Sequence, residues 1–254
     1  MVPARAVVSG SELIMLVVIF FLTSAVGVVT GSTSLITVPA MLALGIDAHA
    51  AVATNMAALT FMSVGAVLPF AGRGVIVRRR LLPAVLLTAA GSILGALALV
   101  ALPADDIRYA LAIVVLGVLA FVAFDSSARD AEPRGTSAGS VAIGYAVTFL
   151  LAIYGGFFSG GYVTMLTVAF VACLGMTFLQ AVATTKVLNV VSSGIATGLF
   201  TWRGLVDWPL ALGLGIAMFV GGILGSRAAL WLSPVWLRRI FVTVALVLAI
   251  RLLV

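Results

Sequence analysis

The chain has 254 residues, of which 63% are hydrophobic and 9% charged, with a formal net charge of +6. So few charges cannot solvate a soluble domain of this size, and continuous apolar runs without in-out alternation exclude a β-barrel. One cysteine (Cys173) and one histidine (His49) exclude a disulfide framework and a metal centre built on those side chains, so no cofactor is expected.

The first apolar segment, 12–30, has a weakly charged front (Arg5, Glu12) and no small-residue cleavage site. It reads as a retained membrane helix rather than a signal peptide. A break of small polar residues follows, Thr30-Gly31-Ser32-Thr33-Ser34, and then a short segment, 34–45. About 12 residues of helix rise only about 18 Å, so this segment spans half a bilayer or re-enters from one side. Segments 49–71, 81–102 and 106–124 complete a first repeat, residues 1–124. A polar linker, 125–141, carries charges of both signs with Pro and Gly. The second repeat, 142–254, has segments at 142–159, 163–175, 179–201, 209–232 and 236–253, with the break Ser159-Gly160-Gly161 before its own short segment.

The two halves are copies. Residues 31–124 align without a gap on 161–254 at an offset of 130, and 24 of the 94 pairs are identical. Composition alone gives roughly 10. Gly31 pairs with Gly161, Gly45 with Gly175, Ala51-Val52-Ala53-Thr54 with Ala181-Val182-Ala183-Thr184, and Arg73-Gly74 with Arg203-Gly204. A duplicated helical membrane unit is the architecture of many secondary transporters, with the substrate site where the repeats meet. The expected fold is therefore an all-α integral membrane protein of two homologous repeats, with about 8–10 membrane segments including short broken or re-entrant helices.

Arginines set the orientation. The dense basic loop with Arg73, Arg78, Arg79 and Arg80 is placed in the cytoplasm, as expected for a multi-pass protein of the inner (plasma) membrane. Five crossings per repeat make the repeats inverted and put Arg129, Arg134, Arg227, Arg238 and Arg239 on the same side. Four crossings make them parallel and put the last three outside. The inverted arrangement suits the charge bias better. Arginines at helix ends serve topology, so no nucleic-acid partner is expected; the partners are the lipid bilayer and a small anion.

The breaks are the first candidate site. Each re-forms a helix whose first N–H groups lack an intrahelical partner and, with the helix dipole, attract an anion. Gly31, Ser32, Thr33 and Ser34 in one half, and Ser159, Gly160 and Gly161 in the other, bring hydroxyls and bare backbone there. The alternative is that these small residues only permit close helix packing. The second candidate is Thr54-Asn55 with Thr184-Thr185-Lys186 and Asn189. Lys186 is the only lysine and sits in an apolar helix with no acidic residue near it in sequence. A cation there needs a water-filled cavity or a partner, and an anionic substrate is a natural one; the alternative is snorkelling to an interface. Arg73 and Arg203 read as rim or anchor charges, with gating of an anion as the other reading. Asp47 and His49 cap or solvate a turn, and Asp207 beside Trp202 and Trp208 marks an aqueous interface. Gly213/Gly215 and Gly221/Gly222/Gly225 suit close packing, within the monomer or between protomers of a homo-oligomer.

No Asp or Glu falls in the middle of a spanning segment, so carboxylate-based proton coupling has little support. No phosphate-cradling Gly-x-x-x-x-Gly-Lys-Ser/Thr and no Ser-His-Asp or two-metal set is present, so the chain is read as a non-enzyme.

The Gly-bearing break leading through Thr37-Val38-Pro39 to Gly45 and Ala51-Val52-Ala53-Thr54-Asn55 resembles the sulfite exporter TauE/SafE family. So does Gly155-Gly156-Phe157-Phe158-Ser159-Gly160-Gly161 through Gly175 to Ala183-Thr184-Thr185-Lys186. The resemblance covers nearly the whole chain. It implies a transporter, usually an exporter, of sulfite, organosulfonates such as sulfoacetate, or another small anion. The first break has one Gly where many members have two or three, and Leu59 stands at the repeat position of Asn189. The resemblance therefore implies unequal half-sites, with the second half contributing more. A channel-like anion pore, a permease for a different small organic anion, and a non-transporting scaffold are the rival readings.

Overall fold

The computed structural model describes residues 9–104, 106, 107, 109, 110, 113 and 137–232. Most of the expected segment 106–124, all of 236–253, and the linker as far as residue 136 lie outside the described residues. Among those described are eight helices: α1 Gly10–Thr30, α2 Ser34–Ala43, α3 Ala48–Phe70, α4 Arg78–Ala101, α5 Ala138–Phe157, α6 Tyr162–Leu174, α7 Phe178–Trp202 and α8 Trp208–Trp231.

Local chemistry sets most of these ends. A capping box of Ser9 and Glu12 opens α1 and another of Thr177 and Gln180 opens α7. Asp47 caps α3 by accepting from the N–H groups of His49 and Ala50, and Asp207 caps α8 by accepting from Leu210. The expectation of a capped turn at Asp47 therefore holds, and His49 reaches from it to the Leu102 carbonyl at 3.1 Å. Gly31 and Gly175 close α1 and α6 in the left-handed conformation. The two short helices lie where the short segments were expected, with 10 and 13 residues.

Five helices, α1, α3, α4, α5 and α8, are long and apolar enough to cross a membrane. The chain is an all-α, multi-pass membrane protein. Its outer helices turn large apolar side chains outward, including Leu22 on α1, Leu86 on α4, Leu150 on α5 and Ile216 on α8. The interior combines an apolar core with polar side chains: Ser24, Asn55, Ser63, Thr88, Ser92, Thr148, Lys186, Ser192 and Ser193 are all buried. Lipid makes no demand for surface charge, so polar groups gather where protein can pair them. Two helices form the middle. Of the apolar window of α3, 72% is buried, against 28–44% for the other four spans. The other is α7, the longest at 25 residues, which carries Thr184, Thr185, Lys186, Asn189, Ser192 and Ser193, all buried.

Contact registers give the helix directions. Thr54, Phe61, Gly65 and Ala66 of α3 meet Asp207, Gly215, Phe219 and Ser226 at α8 in rising order, so α3 and α8 run parallel. Likewise α1 runs parallel to α8, with Phe21 and Ser24 against Gly221 and Ala25 and Val28 against Gly225. On the other side α4 runs parallel to α5, with Phe149 and Ala152 against Gly91 and Ile153 and Phe157 against Gly95. Thr60 of α3 faces Thr197, while Ser63 faces Asn189, so α3 and α7 run antiparallel.

Small residues make these approaches. A β-carbon at Gly95 would collide with the Ile153 carbonyl oxygen and lie 2.8 Å from the Phe157 nitrogen. Gly215, Gly221, Gly222 and Gly225 likewise pack within the monomer, whereas a β-carbon at Gly213 would meet nothing within 4 Å. Gly95→Ala should therefore lower stability by about 1–3 kcal/mol by overpacking. Gly213→Ala should be neutral, or stabilising by about 0.5–1 kcal/mol through helix entropy. Thermal unfolding of the two detergent-purified variants measures the difference, and equal midpoints would remove the packing role.

Candidate functional site

The two breaks meet. The Gly161 N–H donates to the Gly31 carbonyl at 3.1 Å, joining two residues that the repeat pairs with each other. Thr164, in the first turn of α6, donates its hydroxyl to the Thr30 carbonyl, and Thr30 and Ser32 share a hydroxyl–hydroxyl bond of 2.7 Å. Gly31 has φ +64°, and a β-carbon on it would lie 2.7 Å from both the nitrogen and the hydroxyl of Thr164. Only glycine meets both demands, so close packing is part of this residue's work. Ser159 is the one described non-glycine residue with positive φ, at 65°. Its left-handed backbone is held by the tight turn between α5 and α6.

Around this junction run two amide-centred networks. Asn55 of α3 accepts from the Thr37 hydroxyl at 2.7 Å and donates to Ser34 at 3.0 Å, tying α2 to α3. Asn189 of α7 accepts from Ser159 at 3.2 Å and donates to Ser63 at 2.7 Å, so it bridges the second break and a helix of the first half. Thr167 and Thr185, the repeat counterparts of Thr37 and Asn55, face each other at 3.4 Å. Every one of these side chains is buried.

Lys186 lies in the same core, one helical turn before Asn189. It is 1% exposed and eight residues into α7, about 12 Å from its start at 1.5 Å per residue. Its Nζ donates inward to the Gly27 carbonyl at 3.1 Å, so it does not snorkel. That carbonyl also receives the Gly31 N–H at 2.9 Å, at the C-terminal end of α1 where backbone carbonyls favour a cation. No described carboxylate lies within ion-pair distance of Lys186. Neither α2 nor α6 has a side-chain cap, a property shared with α4. Part of each first turn is paired within the breaks: the N–H groups of Leu35 and Ile36 donate to the Ser32 and Thr33 carbonyls, and that of Tyr162 to the Ser159 carbonyl. Lys186, the meeting breaks and the two amide networks therefore all lie in the buried interior.

Of the expected residues, Gly31, Ser32, Thr33, Ser34, Asn55, Ser159, Gly160, Gly161, Thr185, Lys186 and Asn189 are brought together. The Gly160 carbonyl accepts from the Tyr154 hydroxyl, and the Thr33 hydroxyl lies 3.8 Å from the Met62 sulfur. Thr54 and Thr184 take a different position. Thr54 accepts from the Asp207 N–H at 3.1 Å and Thr184 from the Val77 N–H at 3.2 Å, two bonds that correspond at the repeat offset. They anchor the starts of α8 and α4. Thr54→Val and Thr184→Val should each destabilise by about 1–2 kcal/mol by leaving a backbone donor unpaired, measured by thermal unfolding. Arg73 and Arg203 are exposed at the ends of α3 and α7, with the Arg203 guanidinium 5.2 Å from the centre of the Trp202 ring. Thr37, Ser63, Thr164, Thr167 and the Gly27 carbonyl were not anticipated. The repeat carried a signal for some: Thr37/Thr167 and Ser63/Ser193 are identical pairs at the same offset.

A family model described as Sulfite exporter TauE/SafE matches residues 16–252. The chain is 31% identical over 235 residues to a Probable membrane transporter protein ORF9 of Sinorhizobium sp, covering 92% of this chain and 89% of that protein. It is 28% identical over 250 residues to the Probable membrane transporter protein YfcA of Escherichia coli (strain K12), with coverage of 94% and 90%. A Probable membrane transporter protein of Haemophilus influenzae is 27% identical over 207 residues, with coverage of 82% and 79%. The relatives are named as transporters and not as enzymes, in keeping with the sequence reading. No solved structure matches the chain.

Proposed function

The chain belongs to the sulfite exporter TauE/SafE family, and from that premise we propose that it exports a small sulfur-containing anion, sulfite or an organosulfonate, across the plasma membrane. The observation that carries this reading is Lys186: a buried ammonium with one neutral acceptor and no carboxylate among the described residues. An oxyanion would supply the missing charge, and charge-assisted bonds to it are about twice as strong as neutral ones. The hydroxyls of Ser32, Thr33, Ser34, Ser159 and Thr185 and the amides of Asn55 and Asn189, turned from their present partners, would complete its coordination.

Transport would proceed by alternating access, one repeat rocking against the other. Inverted repeats are one arrangement of the two halves that suits this mechanism. The helix directions support it: α1 and α3 run parallel to α8, whereas α7 is antiparallel to α3, α4 runs parallel to α7 with Val77 against Thr184 and Ser92 against Ser192, and α5 runs parallel to α4. The matching bonds Thr54–Asp207 and Thr184–Val77 support a pseudo-two-fold relation.

Counterflow in proteoliposomes tests the mechanism. Vesicles preloaded with unlabelled sulfonate should accumulate labelled sulfonate transiently above its equilibrium level. Simple equilibration without overshoot would mean a pore, and no flux of any sulfur anion would mean a different cargo or a scaffold.

A further inference from the structure

Lys186 is the only charged side chain among the buried residues described. The groups around it in the site are neutral: the Gly27 carbonyl, the hydroxyls of Ser63, Ser159 and Thr185, and the Asn189 amide. The repeat does not double the charge, because Met56 and Leu59 occupy the positions that correspond to Lys186 and Asn189. Among the described residues, Arg73, Arg78, Arg79, Arg203 and Arg227 are exposed and lie outside this buried set.

We propose that the site selects monovalent oxyanions and rejects divalent ones, taking bisulfite rather than the sulfite dianion and simple sulfonates rather than sulfate. The inference rests on the reading of Lys186 as the counter-charge of the substrate. A monoanion and one ammonium form a neutral buried pair. The cost of removing an ion from water grows with the square of its charge, whereas its attraction to one fixed cation grows only linearly. A dianion therefore leaves a net negative charge in a core where no other described side chain is charged, which is the costly configuration. Hydroxyl and amide donors bind either form and add no charge.

The test is a thermal-shift titration of the unaltered, full-length protein, so folding of a variant does not intervene. Methanesulfonate is a monoanion at every accessible pH, sulfate is a dianion, and methylphosphonate has nearly the shape of methanesulfonate but loses a second proton near neutrality. Methanesulfonate should stabilise the protein and, having one charge state, is the reference against which the other two are compared at each pH. Methylphosphonate should do so on the acid side and lose at least about tenfold in apparent affinity on the alkaline side, and sulfate should bind at least about a hundredfold more weakly. Sulfate or dianionic methylphosphonate binding as tightly as methanesulfonate at the same pH would overturn the charge rule while leaving the anion reading intact. Absence of stabilisation by all three, together with absence of sulfonate flux, would overturn the anion reading and this inference with it.

Discussion

Lys186→Met should weaken sulfur-anion binding by about a hundredfold or more and abolish anion flux, because it removes the one buried charge among the described residues that an anion can pair with. The protein should remain folded. Methionine fills a similar volume and has no ammonium to desolvate, and replacing a buried charge by an apolar group is often neutral or stabilising. The Gly27 carbonyl keeps its bond from the Gly31 N–H, so the substitution orphans no acceptor. Apparent affinity from thermal-shift titration, with the midpoint of the ligand-free variant alongside, separates the two effects. Unchanged affinity would remove Lys186 from the site.

Gly31→Ala should be the most damaging single methyl in the breaks. A left-handed backbone costs a non-glycine residue about 1–2 kcal/mol, and the new β-carbon would press on the backbone nitrogen and hydroxyl of Thr164, both at 2.7 Å. Overpacking of that kind adds about 1–3 kcal/mol, for a total of about 3 kcal/mol. The displacement passes to the second break through the Gly161–Gly31 bond, so flux should fall even in molecules that stay folded. Gly45→Ala is the control. Its φ is also positive, at 78°, but a β-carbon there would meet nothing within 4 Å, so it carries only the backbone strain. Equal thermal midpoints for the two variants would show that the contact with Thr164 contributes nothing.

Much of the fold was legible because its signals are local. Asp47, read as capping its turn, acts within a turn of its own helix, and the short apolar segments at 34–45 and 163–175 appear as short helices. Asp207, read as marking an aqueous interface, also caps α8. Asn189 was legible as a neighbour of Lys186 on one helical face, but its bonds to Ser63 and Ser159 were not, since those residues lie 126 and 30 positions away. The sequence left Thr54 and Thr184 as equal candidates with Asn55 and Thr185, yet in the structure the first pair holds the starts of α8 and α4. Adjacent residues on a helix point in different directions, and which direction meets the site depends on what packs there.

By itself the sequence determined that the chain lives in a membrane, that it is duplicated, and that each copy breaks once before a short helix. Those properties follow from composition and from spacing along the chain. Only the tertiary structure decided that the two breaks touch, that Lys186 turns inward to the end of α1, and that Gly215, Gly221, Gly222 and Gly225 pack inside the monomer. The physical reason is that lipid rewards any apolar surface alike and leaves the choice of partners to close packing and buried hydrogen bonds. Both join residues far apart in the chain.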